Sequence, residues 1–328
     1  EIQTILRYLE VSDADMEKGQ MRCEVNISLR PKGTETFGTK VEVKNLNSFT
    51  AVARSIEYEM ERQAELLRTN PEEIVQETRG WDDSRGVTFS QRKKENAHDY
   101  RYFLEPDIPP FHTEEIKIEA DREMTELPAA KRTRFKQEYG IDAQAAATLT
   151  GDKKLAHYFE YVISELEAWY NATNENVDTD TLLANKDFRK LIKLAQNYLL
   201  TELTRMQYSE IGNFETYRIS PENFAEFITI IKKGTVSSSG AQTLLAKMFE
   251  TGGDPSEILE SENLTQVNDE SAMEEFVIQA IDANEKVVED YKSGNENAIQ
   301  FLVGQVMKFS RGKANPQVAR QMLQERLK

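Results

Sequence analysis

Residues 40–49 read KVEVKNLNSF, and the folding of this stretch decides the architecture of the first third of the chain. Val41 and Val43 alternate with Lys40, Glu42 and Lys44, the period-2 pattern of a strand with one face in a core. Two amides follow, Asn45 and Asn47, and Asn47 or Ser48 is suited to cap a helix. Upstream, residues 21–30 read MRCEVNISLR. Met21, Cys23, Val25, Ile27 and Leu29 point one way, and Arg22, Glu24, Asn26, Ser28 and Arg30 the other. Between the two runs, PKGTETFGT carries Pro31, Gly33 and Gly38 as turn residues, so the pair is expected to form an antiparallel hairpin.

Working outward, residues 49–69 form a helical pattern with Val52, Ile56, Met60 and Leu67 on a broad apolar side. Asn70-Pro71 ends it. IVQETRGW and GVTFSQR predict two more strands around the turn DDSRG. From about residue 114 the texture is helical. Gly140 is placed as a helix stop, Asp142 and Asp152 as caps, and Pro221 and Pro316 as first helical residues. The expectation is an α+β fold: an antiparallel-sheet half over residues 1–113, an all-α helical domain over 114–261 and a small helical tail domain over 262–328. The opening EIQTILRYL has helical spacing with no capping residue ahead of it, which predicts a helix already under way and an upstream part not included.

Of the 328 residues, 39% are hydrophobic and 30% charged, the balance of a core-forming protein with a charged surface. No apolar run approaches the roughly 18 residues of a membrane span, so no membrane partner is expected. One cysteine, Cys23, excludes an internal disulfide framework and suits a reducing cytoplasm. One cysteine and three histidines argue against a Cys/His zinc site. The net charge of −16 argues against a surface built for nonspecific DNA binding, while leaving room for local basic faces.

The polar side of the hairpin offers Glu24, Asn26, Glu42 and Lys44. Opposite residues of an antiparallel pair lie about 5 Å apart, so two carboxylates, an amide and an ammonium fall in one patch. Hard cations such as Mg²⁺ take carboxylate oxygens together with phosphate and water, and a lysine beside them can neutralise a phosphoryl group. An ordinary wet strand face with cross-strand ion pairs accounts for the same residues, and residue types alone leave both readings open. A second run, residues 76–107, interleaves Arg79, Arg92, Lys93, Lys94 and Arg101 with Trp81, Tyr100, Tyr102 and Phe103. It suits phosphate and base contacts or, equally, a packed sheet edge. Two basic helical groups, Lys131-Arg132-Arg134-Lys136 and Lys308-Arg311-Lys313, read either as phosphate contacts or as solvated and helix-end charges. No GxxxxGK[ST] loop or GxSxG elbow is present.

The runs EVSDADMEKGQMRCEVNISLRP, FGTKVEVKNLNSF, EYEMERQ, QETRGWD and HDYRYFLEPDIPP resemble the B subunit of the tRNA-dependent aspartyl/glutamyl-tRNA(Asn/Gln) amidotransferases. FLVGQVMKFSRGKANPQVARQML is similar to that family's tail domain. The resemblance implies a catalytic cradle in the first domain and a tRNA-binding tail. It implies ATP- and Mg²⁺-dependent phosphorylation of the side-chain carboxylate of Glu-tRNA(Gln) or Asp-tRNA(Asn). Ammonia from the amidase partner of the complex then displaces the phosphate, and a small third polypeptide completes the heterotrimer. It also admits the non-discriminating aminoacyl-tRNA synthetase as a further partner. Carried onto this sequence, it assigns Glu24 and Glu42 to the metal, and Glu42, Lys44, Asn45 and Asn47 to the reacting end. Asn26, Arg79 and Arg101 go to the nucleotide or the tRNA 3′ end, and Lys308, Arg311 and Lys313 to tRNA. Glu24 and Leu104 stand where relatives more often carry Asp and Pro. The competing expectation is a tRNA-binding and assembly fragment without catalysis of its own.

Overall fold

The computed structural model describes residues 1–93, 103–110, 112–174, 179–210, 217–266, 270–310 and 312–327. They form two compact units, Glu1–Glu126 and Leu127–Lys328.

The first unit opens with α1 (Ile2–Tyr8) and is built on four strands: β1 (Cys23–Ile27), β2 (Val41–Leu46), β3 (Glu77–Asp82) and β4 (Val87–Lys93). The sheet order is β1-β2-β3-β4. β1 pairs antiparallel with β2, as the alternation predicts. β3, however, pairs parallel with β2, and antiparallel with β4. The sheet is therefore mixed, which corrects the all-antiparallel expectation. The cause is α2 (Phe49–Thr69), whose 21 residues carry the chain back along the sheet. A strand entered after such a return runs parallel to the one before it. α2 is capped by Ser48, whose hydroxyl accepts the Ala51 N–H at 3.0 Å, while Asn47 is exposed.

The helix also faces the sheet differently from its apolar pattern. Ala51, Ser55, Glu59 and Gln63, spaced four apart, are the buried seam. Val52 and Ile56 flank the small core of Val25, Val43, Leu46, Ala51 and Trp81, whereas Met60 is exposed. α3 (Thr113–Glu123) closes this unit and has no buried residue.

The second unit begins with α4 (Pro128–Glu138), α5 (Ala143–Leu149), α6 (Lys153–Thr173), α7 (Lys186–Tyr198) and α8 (Thr204–Glu210). α9 (Pro221–Lys232), α10 (Ser238–Thr251) and α11 (Pro255–Ser261) complete its first part. These helices enclose one large core that includes Phe135, Phe159, Leu166, Phe188, Phe224 and Phe249. The predicted punctuation holds: Asp142 and Asp152 accept cap hydrogen bonds, and Gly140 turns with φ of +67°. A separate core, from Met273 to Leu327, is shared by α12 (Glu270–Asp282), α13 (Glu285–Lys292), α14 (Ala298–Phe309) and α15 (Pro316–Leu327). Two of the basic residues of α4, Lys131 and Arg134, are held in ion pairs. Lys131 is buried and its ammonium lies 2.7 Å from Glu160, which also pairs with Arg134. Among the described residues no helix is long and apolar enough to cross a membrane.

Candidate functional site: two faces of one small sheet

The alternation of the strands sends one set of side chains to water and the other toward α2. On the wet face the sheet brings together Glu24, Asn26, Glu42 and Lys44. Asn26 and Glu42 are direct partners across β1 and β2. The Lys44 ammonium sits 3.3 Å from Glu24 Oε1 and 3.6 Å from Glu42 Oε1. The hydrogen bond to Glu24, together with the charges of Glu42 and Glu24, holds the lysine above its ordinary pKa, so it stays protonated. Glu24 and Lys44 are each well exposed, while Glu42 is nearly covered.

Asn45 explains how Lys44 and Leu46 can both be satisfied. Strict alternation after Val43 would turn Asn45 into the core and Leu46 to water. Instead Asn45 adopts a left-handed backbone, φ +63°, and the register slips between Val25↔Val43 and Cys23↔Leu46. Lys44 and Asn45 together oppose Glu24, the arrangement of a β-bulge. The extra residue returns Leu46 to the core at 5% exposure. Asparagine tolerates this backbone better than any β-branched residue.

Two neighbours on β3 belong to the wet face, and charge counting overlooked both. Thr78 is the parallel partner of Glu42, and its hydroxyl donates to Glu42 Oε2 at 3.1 Å. Gly80 is the partner of Lys44. The side chains of Phe89 and Gln91 lie across it, so closely that a Cβ there would come within 2.7 Å of Phe89 and 2.5 Å of Gln91. The visible signal was alternation within QETRGW, which puts Thr78 and Gly80 on one face and Arg79 and Trp81 on the other; the register with β2 decides that the first is the face of Glu42 and Lys44.

Arg79 is on the other face. Its guanidinium contacts Glu77 Oε1 at 2.5 Å and Glu59 Oε1 at 3.2 Å, and donates to the Thr88 hydroxyl and carbonyl. Glu59 is fully buried and also accepts from Arg62, Gln63 and Thr88. Burial alone would push the Glu59 carboxyl up. The hydrogen bonds from Arg62, Thr88 and Gln63 outweigh it and hold the group below its ordinary value. The geometry therefore does not bring Arg79 to the Lys44 patch. Arg101 and Arg311 lie outside the described residues. In the second unit, Lys308 is exposed in the last turn of α14, and Lys313 lines a cavity of about 370 Å³ with Ser237, Ser239, Thr243 and Asn263.

The chemistry of the wet face suits a hard cation. Among the described residues no three His, Cys, Asp or Glu side chains cluster closely enough to hold an ion alone. Glu24 and Glu42 fit the one or two carboxylates that Mg²⁺ takes when phosphate and water complete its shell.

Comparison with known proteins agrees with this division of the chain. A GatB/GatE catalytic domain model matches residues 1–119, and a GatB domain model matches residues 156–327. The B subunit of the aspartyl/glutamyl-tRNA(Asn/Gln) amidotransferase of Caldicellulosiruptor bescii is 42% identical over 99% of the chain and 64% of its own length. Its counterpart in Persephonella marina is 43% identical over 100% of the chain and 64% of its own length. That of Carboxydothermus hydrogenoformans is 40% identical, over 99% and 63%. The chain thus spans less than two thirds of the length of these relatives. With one family model on the sheet unit and a second covering more than half of the chain, this protein belongs to the GatB family, the B subunits of tRNA-dependent amidotransferases.

Proposed function

We propose that the chain carries part of the kinase and amidation site of a tRNA-dependent amidotransferase. The substrate is Glu-tRNA(Gln) or Asp-tRNA(Asn). A side-chain carboxylate oxygen attacks the γ-phosphorus of ATP, ADP departs, and ammonia then attacks the acyl phosphate and expels phosphate. The observation that carries the reading is the Lys44 ammonium held between Glu24 and Glu42 on an open sheet face. Carboxylates repel ATP, so carboxylates flanking a lysine at a wet surface make sense beside a phosphate only with a cation present. Glu24 and Glu42 would hold Mg²⁺, which when bound offsets the charge of the transferring phosphoryl group. Lys44, kept protonated by the pair, offers N–H donors to phosphate oxygens as charge gathers there. Asn26, beside Glu42, and Asn45, at the bulge, offer amides to the nucleotide or the aminoacyl end. Lys308 and Lys313 are assigned to the tRNA backbone. The proposed partners, in the cytoplasm, are an amidase that supplies ammonia and a small third polypeptide of the same complex.

The test is amidation of mischarged tRNA by the full-length protein assembled with its partners. Omission of ATP should stop the reaction. Glu42→Gln should abolish amide formation while the melting curve stays that of the parent. Normal turnover by that variant would remove the assignment. Tight tRNA binding without any Mg²⁺-ATP binding would instead support a tRNA-binding and assembly role.

A further inference from the structure

Thr78 is 7% exposed, and the Glu42 carboxylate accepts its hydroxyl proton. A strand interior this well covered accommodates valine readily, and a buried hydroxyl costs stability unless it is hydrogen-bonded. Here the bond goes to Oε2 of Glu42, while Oε1 is the atom nearer Lys44. The two carboxylate oxygens are thereby distinguished: one is tied to the sheet and the other is turned toward the lysine. Threonine is suited to this because β-branching stiffens χ1 and fixes the hydroxyl relative to the strand.

The strand behind Thr78 is itself held from the opposite face. Its neighbours Glu77 and Arg79 are bound to one another. Arg79 also reaches Glu59 and Thr88, and Glu77 accepts from Ser90. Thr78 therefore stands on a strand braced by charged groups on its opposite face. Support of this kind is what keeps a functional carboxylate within a fraction of an ångström of its working position.

We propose that Thr78 is a positioning residue for Glu42: its hydroxyl orients the carboxylate so that the Glu24–Glu42 pair accepts a divalent cation. The inference rests on the cation-binding reading of the proposed function, and the experiment separates the two. Mn²⁺ alone is the probe, titrated by electron paramagnetic resonance of the free ion against the full-length protein in its assembled complex. Wild type, Thr78→Val, Thr78→Ser and Glu42→Gln are compared, each with a thermal melt.

Removing a hydrogen bond that orients a metal ligand weakens metal binding on the order of tenfold. Thr78→Val should therefore lose about tenfold in Mn²⁺ affinity. Thr78→Ser, which keeps the hydroxyl, should stay near wild type, and both should melt with the parent. If Thr78→Val lowers the melting midpoint, Thr78→Ala against Thr78→Ser makes the same comparison. Mn²⁺ affinity unchanged in Glu42→Gln overturns the cation reading itself. Loss in Glu42→Gln with wild-type affinity in Thr78→Val overturns the role of Thr78 alone. Equal loss in the valine and serine variants also overturns it, since the hydroxyl would then not matter.

Discussion

Replacing Glu59 by glutamine tests the dry face of the sheet. The substitution keeps shape and one acceptor oxygen but removes the charge. It also turns an amide N–H₂ toward guanidinium groups that can only donate. In the parent, Glu59 accepts from Arg62 Nε at 2.9 Å and Nη2 at 2.8 Å, from Gln63 at 3.0 Å and from Thr88 at 2.5 Å, with Arg79 Nε at 3.2 Å. The carboxylate is fully buried, and Arg62 and Arg79 are mostly covered. Removing one partner of a buried ion pair costs about 3–5 kcal/mol, because the remaining charge stays desolvated. Unfolding entropy of roughly 2.1 cal/mol/K per residue, over a unit of 126 residues, gives about 0.26 kcal/mol/K. The loss then corresponds to a fall of about 11–19 °C in the melting midpoint of this unit.

Calorimetry of the full chain, parent against variant, gives the number. A second arm uses pH. The folded-state pKa of Glu59 is lowered, so its contribution is fully present above the ordinary carboxylate value and is lost as pH falls through the folded value. The gap between parent and Glu59→Gln should accordingly be constant near neutrality and close in acid, below about pH 4. A shift of under about 3 °C at neutral pH, or a gap that widens in acid, would refute the claim that this carboxylate holds α2 to the sheet as an anion.

Two further predictions bear on the bulge and the tail. Asn45→Val places a β-branched residue at φ +63° and should destabilise the first unit by about 1–2 kcal/mol, while Asn45→Gly should be close to neutral, both read by urea denaturation. Lys308→Ala should weaken tRNA binding about equally for all tRNAs and reduce the slope of log K against log salt by about one, measured by filter binding at several salt concentrations.

The parts of this fold that were legible from sequence are those decided by neighbours along the chain. The caps at Ser48, Asp142 and Asp152 and the turn at Gly140 depend on a few consecutive residues, and they stand where the residue types place them. The pairing of β1 with β2 followed from alternation and from the turn residues between the two runs. The parallel pairing of β2 with β3 did not, because a strand pattern has no direction and only the return along α2 supplies one. The buried seam of α2 was hidden for a related reason. Ser55, Glu59 and Gln63 read as a solvent face until Arg79, Glu77 and Thr88 are brought opposite them. Arg79, which the family resemblance assigns to the nucleotide or the tRNA 3′ end, likewise reads as an available arginine in a run of charges until Glu59, upstream on α2, is in view.

The two faces differ in how easily their charges can be rearranged, and under the proposed function this difference would let one small sheet serve as both support and site. On the dry face the buried carboxylates of Glu59 and Glu77 meet the mostly covered Arg62 and Arg79, so breaking any pair strands a carboxylate charge in the protein. That arrangement is fixed. On the wet face the side chains of Lys44 and Glu24 remain 42% and 43% exposed, and pairs of that kind contribute about 0–1 kcal/mol. Lys44 can therefore leave a carboxylate for a phosphate oxygen at little cost, with water covering what it leaves. Glu42 stands between these regimes, its side chain 12% exposed and one oxygen tied to Thr78. A carboxylate anchored on one side and presented on the other holds its place while its partners are exchanged. Under the proposed function the exchange itself would fall to Lys44 and Glu24, whose side chains the sheet leaves half exposed.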